Sequence, residues 1–291
     1  MRTSDTFNQM FVFVFSLIIF YIIYTMNSFE LISLSRLKSY SKLLQKKYRQ
    51  SDGKFLVEGV HLVEEALKSD WEVEAIVVSD HGLVKEIGKL ENWNVRGDAE
   101  LFECTEKEFG KLTDTVTSQG IVAVVKIKKN TLEGFWEKLP ECSIIVALDD
   151  VSDPGNIGTI LRTCDWFGVN GVLLSENSVE LYNSKVIRST MGAIFHLPVI
   201  TDVDLGSTIK DARKSGFNVI TTVLDGGKPL SKFSFTKKSI IVFGNEAHGI
   251  SKEIQQLSGT MLTIPKYGKA ESLNVGISCG IILNAIRSSI S

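Results

Sequence analysis

Cysteine is scarce in these 291 residues, and the four present (Cys104, Cys142, Cys164 and Cys279) form no C-x-x-C pair and have no histidine at metal-ligand spacing. No metal site or disulfide framework is expected, and the four read as reduced thiols of a cytoplasmic protein. Charge of one sign is also lacking: the formal net charge is -2 and the pI about 6.1, so any nucleic-acid contact must come from a local patch. A G-x-G-x-x-G turn is missing, because the glycines of DPGNIG (residues 153–158) fall at the wrong spacing, which argues against a dinucleotide cofactor. One long uncharged stretch is present, residues 10–26, whose 17 residues just reach the lower limit of a membrane span. Arg2 is the one basic residue before it, and no small-residue cleavage site follows. A single-pass anchor, a poor signal sequence and an upstream extension with the natural start at Met26 all stay open. We favour the extension, residues 1–25, over a membrane anchor.

The length predicts two domains. Over residues 26–128, strands (KFLVEG, VEAIVVS, QGIVAVVKIKK) alternate with helices (HLVEEALKS, GLVKEIGKL and one capped near Thr105), the pattern of a small α/β domain. His61 and His81 read as surface residues. Residues 31–48 read as one amphipathic helix with Leu31, Leu34, Leu37, Leu43 and Leu44 toward the core. Along it and just beyond, Arg36, Lys38, Lys42, Lys46, Lys47 and Arg49 follow one another with no acid between. Such a run is usually a solvated face, but in a slightly acidic chain it also suits phosphate contact. Residues 129–142, with Pro140, read as a linker. Residues 143–291 open on SIIVALDD, an uninterrupted apolar strand, and repeat that pattern with helices between. This predicts a mostly parallel sheet covered on both faces.

Three stretches of the second domain share one design, an apolar strand, a Gly/Asn turn and a helix start. They begin at Asp149, Ile240 and Thr263. After parallel strands, such turns converge on one sheet edge, where open α/β folds bind ligands. Asn156 reads as a helix N-cap, and so does Ser272 or Asn274. In the helix after Asn156, Ile157, Ile160, Leu161 and Cys164 form the buried stripe, opposite Gly158, Arg162 and Asp165. The simplest role for Arg162 is an i,i+3 pair with Asp165. Glu246 suits a helix start after its strand, and His248 reads as a turn residue rather than a base. In the last helix Val275, Ile281, Ile282, Ala285 and Ile286 form the apolar set, and Gly276 and Gly280 imply close approach by another backbone, a partner or a ligand.

Together, N-I-G-T-I-L-R (156–162), F-G-N-E-A-H-G-I-S (243–251) and I-P-K-Y-G-K-A-E-S-L-N-V (264–275) resemble the three motifs of the SpoU/TrmH family. These are RNA ribose 2'-O-methyltransferases of the SPOUT class. The similarity runs over about residues 30–290, and F-L-V-E-G resembles the opening of the family's RNA-substrate-binding domain. The resemblance implies S-adenosylmethionine as cofactor, a knotted C-terminal domain and a homodimer packed through it. It assigns chemistry to Arg162, Asn156, Glu246, Ser272 and Asn274, and cofactor contacts to Leu224, Gly244, Ile264 and Leu273. Arg162 would anchor phosphate and stabilise developing alkoxide charge, while Lys266 and Tyr267 lie where the family varies and could tune the RNA chosen. Ribosomal RNA is favoured over transfer RNA, and the alternative from another class is a non-catalytic RNA-binding or ribosome-assembly protein of the same fold.

Overall fold

The computed structural model describes residues 29–80, 82 and 99–290, and the chain divides between Ile127 and Lys128 into two compact units. The uncharged run at residues 10–26, His81 and nearly all of the helix expected over residues 82–90 lie outside the described residues. Among the described residues no helix is long and apolar enough to cross a membrane.

The first unit runs β1 (Glu30–Leu31), α1 (Leu34–Lys42), α2 (Lys46–Asp52), β2 (Lys54–Glu58), α3 (Val60–Lys68), β3 (Val73–Ser79), β4 (Glu100–Cys104), α4 (Glu106–Phe109) and β5 (Ile121–Lys126). Its sheet is ordered β1-β4-β3-β5-β2, with β5 antiparallel to both its neighbours. The helix expected over residues 31–48 is two helices. Leu31 is taken up by β1, Ser33 caps α1 by accepting from the Arg36 N–H, and three successive turns at residues 43–45 end it. Leu37 and Leu43 are buried as expected, but Leu31 and Leu34 are 79% and 71% exposed. Ile32, Tyr40, Phe102 and Phe109 fill the core in their place. The helix expected near Thr105 is α4, closed by a reciprocal Thr105–Glu108 capping box.

The second unit runs α5 (Leu132–Glu137), β6 (Ser143–Asp149), α6 (Pro154–Trp166), β7 (Gly171–Ser175), α7 (Ser184–Thr190), β8 (Val199–Val203), α8 (Leu205–Lys214), β9 (Asn218–Thr222), β10 (Lys228–Pro229), β11 (Lys238–Gly244), α9 (Lys252–Leu257), β12 (Thr260–Thr263) and α10 (Val275–Ile290). Its seven strands lie in the order β10-β12-β9-β11-β6-β7-β8, and every pairing is parallel. Side chains alternate across a strand, so Ile145 and Ala147 join Val219, Ile240, Val242 and the residues of α8 and α9 in one core layer. Ile144, Val146 and Leu148 are equally shielded on the opposite face, which is why the strands read as unbroken apolar runs. Residues 129–142, expected as a linker, are no free tether. Thr131 caps α5, whose Phe135 is buried in this core, while Trp136 meets the Phe217 ring at 5.5 Å.

Candidate active site

Because the sheet is parallel, the turns after β6, β9, β11 and β12 leave from one edge. Register fixes their relative height: Gly244 pairs with Asp149, Val242 with Thr221, and Leu262 with Thr222. At the end of β6 the backbone of Asp150 turns left-handed, φ 59°, a conformation that aspartate tolerates better than most residues. Ser175 Oγ holds it, accepting from the Asp150 N–H at 2.8 Å and donating to its carboxylate at 2.9 Å. Asn245 Nδ2 then donates to the Asp150 carbonyl at 2.8 Å, joining the turn after β11 to the turn after β6. Gly244 is obligatory here, since a Cβ would lie 2.2 Å from the Gly249 carbonyl carbon where the chain folds back on itself.

Asn156 Nδ2 donates to Glu246 Oε1 at 2.8 Å, and Asn274 Nδ2 donates to Asn156 Oδ1 at 2.8 Å. One side-chain relay, Asn274 to Asn156 to Glu246, therefore ties together all three stretches singled out in the sequence. The Glu246 carboxylate also accepts from the N–H and hydroxyl of Ser152 and from the Asp153 N–H, each at 3.3 Å. Partial burial pushes this carboxyl up, but the hydrogen bonds from Asn156 and from main-chain N–H groups outweigh it and hold it below the usual glutamate value.

Asn156 is not the N-cap of α6. Asp153 is, accepting from the Asn156 N–H at 2.8 Å with Pro154 following. The Asp-Pro pair was the readable signal for it. Being inside the first turn frees the Asn156 amide for the relay. Asn274 does cap α10, accepting from Gly276 N at 2.9 Å and Ile277 N at 3.3 Å, and reaches Asn156 with its other end. Ser272 is exposed and takes no part in these bonds.

Arg162 lies about 9 Å along α6 from Asn156 at 1.5 Å per residue. It is exposed, and the expected pair with Asp165 is not made, because Asp165 faces His196 Nδ1 at 3.1 Å instead. Ile157, Ile160, Leu161 and Cys164 are fully buried, as the spacing predicted. Gly158 is buried too, not on the polar face: a Cβ would lie 2.2 Å from Ser189 Cβ, so its bareness lets α7 pack against α6. That approach brings Lys185, which the sequence reading passed over, to 3.7 Å from Asp153 Oδ2. The glycine groove of α10 is filled by α6. A Cβ on Gly276 would lie 3.1 Å from Thr159 Cγ2, and one on Gly280 3.7 Å from Thr163 Cγ2. Cys164 and Cys279 are both buried at this contact, where burial and the neighbouring Cys279 thiol push the Cys164 thiol up. Arg287 donates to the Phe167 carbonyl at 2.5 Å and also to that of Gly168. Ile281, expected in the apolar set, is 39% exposed, and Ile277 is 56% exposed.

Of the expected cofactor contacts, Leu224 follows β9, Gly244 ends β11, Ile264 follows β12 and Leu273 precedes the cap of α10. The Leu224 carbonyl accepts from the Thr263 hydroxyl at 2.8 Å. Leu224 and Leu273 are 65% and 47% exposed. Among the described residues, residues 265–273 make no hydrogen bond or ion pair within the protein. The edge thus offers apolar side chains beside uncommitted main-chain donors and acceptors. That combination suits an adenosine carried by a short polar chain.

In the first unit, Lys38, Lys42, Lys46 and Lys47 are exposed, and the ammonium groups of Lys42 and Lys47 lie 5.2 and 5.9 Å from the Tyr48 ring centre. Arg36 is partly engaged, paired with Glu100 and 4.9 Å from the Phe102 ring centre. Arg49 does not belong to this surface. It is 4% exposed and its guanidinium donates to the Leu43 carbonyl at 2.8 Å, closing the turn between α1 and α2.

Comparison with known proteins agrees with this geometry. The profile of the SpoU rRNA methylase family matches residues 143–284, and that of an MRM3-like substrate binding domain matches residues 35–123. The 23S rRNA (guanosine(2553)-2'-O)-methyltransferase RlmP of Bacillus subtilis is 32% identical over 252 residues, 87% of this chain and 96% of that protein. Two solved structures align over nearly their whole length. The AdoMet-bound rRNA methyltransferase from Sinorhizobium meliloti has TM-score 0.78 and 28% identity, covering 90% of this chain and 98% of the other. The SpoU methyltransferase AviRb from Streptomyces viridochromogenes, solved with AdoMet, has TM-score 0.79 and 26% identity, covering 89% and 99%. Sequence likeness across nearly the full length of RlmP, together with the three joined motif turns, establishes that this chain belongs to the SpoU rRNA methylase family.

Proposed function

We propose that this protein transfers the methyl group of S-adenosylmethionine to a ribose 2'-hydroxyl of 23S ribosomal RNA. The observation that carries the reading is the Asn274–Asn156–Glu246 relay, which joins three separated motifs at one sheet edge with an exposed Arg162 on α6. S-adenosylmethionine supplies an electrophilic methyl when bound. Leu224, Gly244, Ile264 and Leu273 would hold it, largely through the main chain.

The chain's own residues supply position and charge. A ribose hydroxyl is a weak nucleophile at neutral pH, and developing negative charge on its oxygen needs a nearby cation. Arg162 provides one and can grip the adjoining phosphate through two N–H groups at once. Arginine keeps its proton in proteins, so its work is anchoring and electrostatic, and the hydroxyl proton leaves by the phosphate or solvent. Glu246 and Asn156 fix the start of α6, the helix that carries Arg162, Asn274 fixes the start of α10, and exposed Ser272 is free to meet the substrate. Lys38, Lys42, Lys46 and Lys47, with Arg36, give the first unit its phosphate-contacting surface. A second copy packs on the C-terminal unit, where Ile277 and Ile281 are exposed on α10. The test is transfer of labelled methyl from S-adenosylmethionine to an unmodified 23S rRNA transcript. Stoichiometric 2'-O-methylation at one nucleotide is expected. Cofactor binding without transfer to any ribosomal RNA would remove the proposal.

A further inference from the structure

Tyr267 is 96% exposed, nearly as open as a side chain can be, and it stands in the loop that delivers Leu273 and Asn274 to the site. Lys266, Gly268 and Lys269 beside it are exposed as well. Within the protein, residues 265–273 make no hydrogen bond or ion pair among the described residues. Nothing lies within 4 Å of where a Cβ on Gly268 would stand. The fold therefore holds this loop at its two ends, at Thr263 and Asn274, and gives its aromatic tip nothing to pack on. Leaving a tyrosine ring in water forgoes the burial that such a side chain ordinarily gains.

We propose that Tyr267 is an RNA-binding residue that stacks on an unpaired base next to the methylated nucleotide, with Lys266 and Lys269 taking the flanking phosphates. This rests on the methyltransferase reading above. Sequence-selective RNA binding works chiefly on single-stranded segments, whose splayed bases stack on aromatic side chains. Basic residues interleaved with an aromatic are the general means of holding such a strand. The two lysines argue for RNA over the cofactor as the partner of the ring: S-adenosylmethionine, with a sulfonium and an ammonium against one carboxylate, is a net cation, whereas an RNA strand is a polyanion that attracts lysine.

The test uses the full chain, S-adenosylmethionine and an unmodified 23S rRNA transcript. Tyr267→Ala raises the KM for RNA by roughly 5- to 150-fold, the range that base–aromatic stacking spans on alanine substitution, and leaves cofactor affinity within about twofold. Tyr267→Phe, which keeps the ring, restores the KM. The paired Lys266→Ala and Lys269→Ala variant flattens the dependence of log KM on log salt by roughly 1.5. An active wild type whose KM is indifferent to Tyr267→Ala overturns the inference and leaves the methyltransferase reading standing. So does an equal loss of cofactor and RNA affinity, which would assign the ring to the donor. A wild type that methylates no RNA overturns both.

Discussion

Exchanging donor and acceptor inside the relay is the sharpest perturbation of the site. Asn156→Asp replaces the amide that donates to Glu246 Oε1 at 2.8 Å with a second carboxylate. A hydrogen bond to a charged group is worth about 1.5–3 kcal/mol, and two like charges ~4 Å apart cost about 1 kcal/mol in water and about 4 at an effective dielectric near 20. Asn156 and Glu246 both reach solvent, so the lower end of each range applies. Together they predict a loss of about 2.5 kcal/mol, or roughly 70-fold in kcat/KM, since each 1.4 kcal/mol is tenfold. Glu246→Gln alone removes the carboxylate that also receives the Ser152 and Asp153 N–H groups, and it lowers activity as well. The double variant puts the donor on residue 246 and the acceptor on residue 156. It recovers at least tenfold over Asn156→Asp, measured as methyl transfer with thermal unfolding and cofactor binding followed in parallel. If the double variant is as poor as the product of the two single losses, residues 156 and 246 do not act through one another.

Arg162→Ala abolishes methyl transfer while S-adenosylmethionine affinity, by calorimetry, stays within about tenfold, roughly 1.4 kcal/mol. Gly158→Ala drives a methyl group into Ser189 Cβ and costs about 1–3 kcal/mol or more in denaturant unfolding, with activity lost alongside. Because the Glu246 carboxyl titrates below its ordinary value of 4.5, its contribution to stability is full above that value and is lost as pH falls through the lower folded value. Thermal unfolding of Glu246→Gln should lack that acid step. Removing any one of Lys38, Lys42, Lys46 or Lys47 lowers the salt slope of RNA binding by about 1. Arg49→Ala leaves that slope unchanged and lowers the unfolding midpoint, because it leaves the Leu43 carbonyl unpaired.

What the sequence made legible followed from burial. Strands such as β6 and β11 are shielded on both faces, so their central positions (Ile144–Leu148 and Ile240–Phe243) are apolar, and the run announces both the strand and the parallel sheet. The same holds for Ile157, Ile160, Leu161 and Cys164, whose spacing is set by one helix face. Where a short element or a side-chain bond decided the outcome, the sequence was silent. Leu31 fell outside α1 because two residues of strand pairing claimed it, and Ser33 then set the helix start. Asn156 was displaced as a cap by Asp153, which has the same side-chain chemistry and is followed by a proline that fits the first helical position. Arg49 looks like its basic neighbours, and only the turn it closes removes it from the surface. Gly158 shows its role only once α7 is seen against it. Lys185 sits in no recognisable motif, and its place beside Asp153 depends on that same helix contact.

The most direct measurement is a map of ribose methylation in ribosomal RNA from cells with and without this gene, repeated with Arg162→Ala restored to the deletion. One 2'-O-methyl mark in 23S rRNA should vanish on deletion, return with the wild-type gene and stay absent with the variant. Identical maps in all strains would contradict an RNA methyltransferase assembled around this relay.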